Sequence, residues 1–366
     1  MRVAPASWVM GEGANNLYVG KDRHMSDSEK IERVKRIIGQ QSSKDYELKA
    51  GEHAASLEKE APSLAAHLRS SELRVAESAY DEADKTANVG RKGFARLATA
   101  ANWLVFGAAC VPAATMAAGT LGAPTTVVVL LGSLAFVLAG IGAAVFFVVR
   151  QGQRLRGWLD SRAKAEAYRH RYFVLATEMP QGGDQTPPPE LPLALFQLEY
   201  FRRYQLEMQI SFFREKGRKF RKAFDRWTMV GGVGAGLGIV ANGLAAIFSG
   251  TFSHQWAALA SVAVVAVAMT SLSSSTEGLF RFGTLRDSYA QTKEALETVC
   301  GRTDEVAQAV LAQGRAPLQQ LVGAVHEILS VENKQWIKIA SGAATAVAKL
   351  EQTLDERKNT FALQQS

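Results

Sequence analysis

The chain has 366 residues, a net charge of +7 and 47% apolar residues, averages that would suit a soluble protein. The distribution excludes that class, because 97–149 and 227–276 contain no Asp, Glu, Lys or Arg. Each stretch is about fifty residues, and one bilayer crossing needs roughly 20 apolar residues, so each fits two crossings and a tight turn. A soluble helical hairpin would carry charge on its outward face. The sequence therefore predicts an all-α integral membrane protein, with two transmembrane helical hairpins, four transmembrane helices and long cytoplasmic helices.

Residues 1–44 are weakly patterned up to Met25, which is followed by Ser26, Asp27, Ser28 and Glu29, a helix start with a capping box. Met25 is also a candidate start codon. Helical patterns are expected at 28–39 and at 45–95, the second leading into the membrane. A first unit, 45–179, contains a hairpin at 98–149: helices at 98–118 and 125–149, with Thr120, Leu121, Gly122, Ala123 and Pro124 as the turn. A helix to 178 follows. The Pro- and Gly-rich linker 180–192 includes Pro187, Pro188 and Pro189, which cannot continue a helix.

The second unit, 193–355, begins with a helix at 193–224. It feeds a hairpin at 227–275, with spans at 227–248 and 256–275 and a turn from Ser249 to His254. Helices to 299, at 302–311 and at 317–355 close the chain before the tail 356–366. Gly90, Arg91 and Lys92 precede the first hairpin as Gly217, Arg218 and Lys219 precede the second, and the shared order of elements suggests a tandem repeat.

Positive charge orients the spans. Neither turn, 119–125 or 249–255, contains Lys or Arg. The other flanks do, from Arg91, Lys92 and Arg96 to Arg150, Arg154 and Arg156, and from Arg214 through Arg226 to Arg281 and Arg286. Both termini and the connector are thus expected in the cytoplasm and both turns outside. No basic region followed by an apolar core opens the chain, so the first span would serve as its own targeting signal. Residues 150–226 hold 16 Lys and Arg against 9 Asp and Glu, an excess equal to the whole chain's. Attraction to anionic lipid headgroups accounts for this; an acidic ligand such as a nucleotide or RNA is the other reading.

Gly232, Gly234, Gly236 and Gly238 resemble a dinucleotide loop, but they lie inside an apolar helix with no preceding strand. Their spacing of four suits close helix packing. Candidate pore-lining groups are Asn102, Asn242, Thr270, Ser271 and Ser274. No span carries an internal acid or base, against a proton-coupled pump. The two cysteines, Cys110 and Cys300, form no disulfide framework, and the six histidines show no metal spacing. No catalytic residue, cofactor or metal is expected, and the chain does not read as an enzyme.

Three short patterns follow the hairpins: Trp158-x3-Arg162-x2-Ala165-Glu166, Tyr289-x2-Thr292-x3-Leu296, and Glu332-x3-Trp336. They resemble the SLATT family of bacterial two-transmembrane effector domains, over 75–340 and in two copies. The second copy lacks the Trp and the Ala-Glu pair. The resemblance implies an effector of antiviral defence in the bacterial inner membrane. Such an effector would oligomerise and form a pore, or disrupt the bilayer, on a nucleotide-type signal. Its partners would be the lipid bilayer, further copies of the chain, and a nucleotide second messenger or a nucleotide-sensing protein, with no DNA or RNA. From the residues themselves, Trp158 would anchor at the membrane interface, and Arg162 and Glu166 could pair along one helix face. A membrane scaffold or sensor, whose cytoplasmic helices dock a partner protein, is the alternative function.

Overall fold

The computed structural model describes residues 25–150, 153–180, 191–248 and 256–338. The second turn, Pro187, Pro188 and Pro189 of the linker, the N-terminal 24 residues, the end of the expected helix 317–355 from 339 on and the tail lie outside the described residues. Among those described, every regular element is helical, and four helices are long and apolar enough to cross a membrane.

Helix α1 is Asp27–Ile38, opened by the expected capping box: Glu29 N–H donates to Ser26 Oγ at 3.3 Å and Ser26 N–H to Glu29 Oε2 at 2.8 Å. The expected helix over 45–95 is instead broken into a 3-10 turn at Ser43–Tyr46, α2 at Ala50–Leu57, α3 at Pro62–Leu68 and α4 at Ser71–Thr120. Pro62, which has no N–H to give a preceding turn, sits in the first turn of α3. Helix α4 runs through Pro112 to the turn, where Gly122 takes a φ of 76°. Helices α5 (Thr125–Arg150) and α6 (Gln153–Thr177) follow.

Beyond the linker, α7 (Leu193–Phe201) passes through a π turn at Arg202–Glu207 into α8 (Met208–Phe248), a single rod where two helices were expected. Helix α9 (Trp256–Phe280) is separated from α10 (Phe282–Gly301) by Arg281 alone. Helix α11 is Thr303–Gln313, and a last helix, α12, covers 316–338.

The helices gather into two compact units. One comprises the described residues of Met1–Ser78, Arg169–Gln209 and Leu296–His326, the other those of Ala79–Tyr168, Ile210–Ala295 and Glu327–Ser366. Each draws on both 45–179 and 193–355.

The first unit packs like a water-soluble bundle. Ile31, Val34 and Ile38 are buried along one face of α1, and Leu64, Ala65 and Leu68 on α3. Every residue of α7 is buried, including Gln197 and Glu199. The buried Arg169 guanidinium donates to Gln205 Oε1 at 2.9 Å and to the Tyr46 and Tyr204 carbonyls at 3.3 Å. Such satisfaction is what a charge removed from water requires. Tyr200 bridges Tyr172 at 2.7 Å and His53 Nδ1 at 2.9 Å.

The second unit contains both hairpins and is inverted in polarity. Phe136 on α5 is 82% exposed, and Val129, Leu130 and Val137 beside it also point outward, as do Val233, Ile239, Val240 and Ile247 on α8. So large an outward apolar surface on uncharged helices matches a lipid environment and not water. The buried centre is small-residue rich: Ala98 and Ala101 of α4 pack with Phe94 and Leu279.

Candidate ligand site and polar groups of the spans

The motif residues lie far apart in sequence, yet seven of the eight fall in the second unit. Trp158 on α6 stacks on Phe94 with ring centres 5.7 Å apart and meets Trp336 of α12 edge-on at 5.1 Å. Gly90 makes this approach possible, since a Cβ there would lie 3.0 Å from Trp158 Cβ. Trp158 is thus part of a ring cluster, a role its sequence position did not disclose.

One turn along α6, Arg162 pairs with Glu166 at 2.6 Å, the i to i+4 contact expected from the sequence. The third member of the group, Glu332, is 6% exposed. Burial pushes its carboxyl up to about 7, with Glu166 adding to the rise and Arg162 opposing it. Tyr289 packs edge-on against Phe213 at 5.1 Å, and the buried Thr292 hydroxyl returns to the Ser288 carbonyl at 3.0 Å. Leu296 is fully buried and belongs to the other unit.

Trp158, Arg162, Tyr289 and Trp336 line one cavity of ≈ 420 Å³. Its remaining wall comes from the leading ends of both hairpins and from the α9–α10 junction. The volume falls in the range of small-molecule sites, roughly 300–1,000 Å³. At the junction Arg281 adopts a φ of 48°, the one positive φ of a non-glycine residue among those described. Its N–H donates to the Glu277 carbonyl at 2.7 Å, and Glu277 Oε1 accepts from Gly283 N–H at 3.0 Å. A left-handed arginine is strained by about 1–2 kcal/mol, and such strain tends to collect where a side chain is aimed for use.

Polar groups of the spans divide into two sets. Asn102 is buried and engaged inside the chain: its Nδ2 donates to Thr276 Oγ1 at 2.8 Å, and its Oδ1 accepts from Ser275 Oγ at 3.0 Å. This ties the first hairpin to the second. Thr270 Oγ1 donates to the Ala266 carbonyl at 3.1 Å in its own helix. Asn242, Ser271 and Ser274 are exposed on the outside of α8 and α9.

The glycines divide likewise. A Cβ on Gly234 would meet Ala266 O and Thr270 Oγ1 at 2.9 Å, and one on Gly238 would meet Ala266 Cβ at 3.5 Å. These two seat α8 against α9. Gly232 and Gly236 face open space. Gly231, which the sequence pattern did not single out, lies closest of all to α9, with Ser273 Oγ 2.8 Å from a Cβ there.

Residues 201–336 match the family model described as SMODS and SLOG-associating 2TM effector domain 1, so that segment is similar to a SLATT domain. The match covers the second hairpin, with Tyr289, Thr292, Leu296, Glu332 and Trp336. Trp158, Arg162, Glu166 and the first hairpin fall outside it, and a second tandem copy is not shown. No curated protein and no solved structure matched the chain. The domain is an effector of the two-transmembrane type and implies a membrane effector role in defence systems; it is not a known catalytic family.

Proposed function

We propose that this protein is a bacterial inner-membrane effector of antiviral defence whose hairpins associate between copies and open a water-filled path, or disrupt the bilayer, on a nucleotide-type signal. The carrying observation is the outward placement of Asn242, Ser271 and Ser274 on uncharged spans. An amide or hydroxyl facing hydrocarbon lacks partners, and a second copy or a column of water would supply them. Asn102, which already bonds Thr276 and Ser275, supports the path less than these three do.

Overproduction of the full chain in bacteria, which drives assembly by mass action, is expected to depolarise the membrane and arrest growth. Asn242→Leu should reduce depolarisation several-fold at equal membrane abundance. An unchanged membrane potential with abundant, inserted wild-type protein overturns the path and favours the scaffold that docks a partner.

A further inference from the structure

The cavity beside Trp158 and Trp336 has walls of two kinds. One is aromatic, continued by Phe212, Phe220, Phe280 and Phe282. The other is cationic, with Arg91, Lys92, Arg162, Lys216 and Arg281 against a single lining carboxylate, Asp84. Asp84 accepts from Asn88 Nδ2 at 2.8 Å, and Arg162 is engaged by Glu166. Arg91, Lys92, Lys216 and Arg281 form no ion pair among the described residues.

Lys216 is the most telling of these. It is half-buried, its ammonium 5.5 Å above the Phe212 ring, and its Lys219 neighbour on α8 is already paired with Glu215 at 2.5 Å. Burial, with Arg91 and Lys219 close by, pulls the Lys216 pKa down, and Glu215 opposes this only in part. Cations gathered around a partly dry cavity repel one another, and an anion in the cavity relieves that repulsion. Arg281 reaches the same wall from a strained backbone.

We propose that this cavity binds a phosphate-bearing ligand with a planar or apolar body. Lys216, Arg91 and Arg281 hold the phosphate, and Trp158, Trp336 and Phe212 hold the body. Phosphate takes charge-assisted hydrogen bonds from guanidinium and ammonium groups, and aromatic faces accept either a nucleobase or an acyl–glycerol segment. Two sources share this chemistry, a soluble nucleotide and the headgroup region of an anionic phospholipid. The site deepens the signal-receiving role proposed above. It rests on that reading only for its consequence, since binding is measured apart from leakage and the two can fail separately.

The test uses the purified full chain in neutral detergent, with radiolabelled ATP as the nucleotide probe and inorganic phosphate as competitor. In parallel, the chain is placed in nanodiscs of phosphatidylcholine with or without phosphatidylglycerol, and bound lipid is counted by native mass spectrometry. One probe is expected to bind saturably, and Arg91→Gln/Lys216→Gln should weaken it about ten-fold or more, a difference of about 1.4 kcal/mol. Lys30→Gln, paired with Asp27 on α1 and outside the cavity, should leave binding unchanged. Trp336→Ala serves as an independent variant, and melting curves confirm that each variant is folded. ATP binding lost in the variants assigns a nucleotide. Phosphatidylglycerol retention lost in the variants, without ATP binding, assigns a lipid. Absence of saturable binding by both probes overturns the proposal, as does binding that the folded variants leave unaltered.

Discussion

Glu332, Arg162 and Glu166 form a carboxylate–guanidinium–carboxylate group in which one acid is buried. The buried one holds its proton to about 7, against an ordinary value of 4.5. A folded-state pKa raised above the unfolded value means that the stability is fully present below about 4.5 and is lost as pH rises through about 7. Melting of the wild-type chain should therefore weaken between pH 5 and pH 8, by on the order of 1–3 kcal/mol. Glu332→Gln should flatten that dependence, and a variant retaining the full pH slope would show that Glu332 ionises freely. Half of this group was legible in the sequence, since a spacing of four on one helix brings Arg162 to Glu166. The approach of Glu332 was not, because no local periodicity relates α12 to α6. Trp158 shows the same limit: an aromatic beside a span reads as an interface anchor, whereas Gly90 and Trp336 recruit it into a ring cluster.

Among elements, the spans were the most legible and their connections the least. Absence of charge marks a span without knowledge of its neighbours, and Gly122 with Pro124 marks the first turn. The break at 45–71 was missed because its residues keep an approximately helical spacing, and only packing of the short α2 and α3 decides where each stops. The junction at Arg281 was missed because arginine is not a residue that sequence patterns associate with a left-handed backbone. The glycine run was recognised as a packing device, but not which glycines pack. Gly234→Leu should clash with Ala266 and Thr270 and destabilise the α8–α9 hairpin by about 1–3 kcal/mol. Gly232→Leu, with nothing within 4 Å, should leave hairpin stability within about 0.5 kcal/mol. Equal losses in thermal melts of the two variants would contradict the seating of α8 on α9 described here.

At the scale of the molecule, the composition already separates a membrane part from charged helices, and the structure separates them again as two units of opposite polarity. The make-up of those units was not legible, since each joins segments more than a hundred residues apart through side-chain packing. The central claim is that both uncharged stretches cross the bilayer as hairpins, with their basic flanks on the cytoplasmic side. Its most direct test replaces Cys110 and Cys300 with Ala and places single cysteines at Leu121, Thr251 or Gln185 for labelling by a membrane-impermeant maleimide. Leu121→Cys and Thr251→Cys should label in intact cells, and Gln185→Cys only after lysis. Protection of Leu121→Cys and Thr251→Cys in intact cells, or labelling of Gln185→Cys before lysis, would contradict the account.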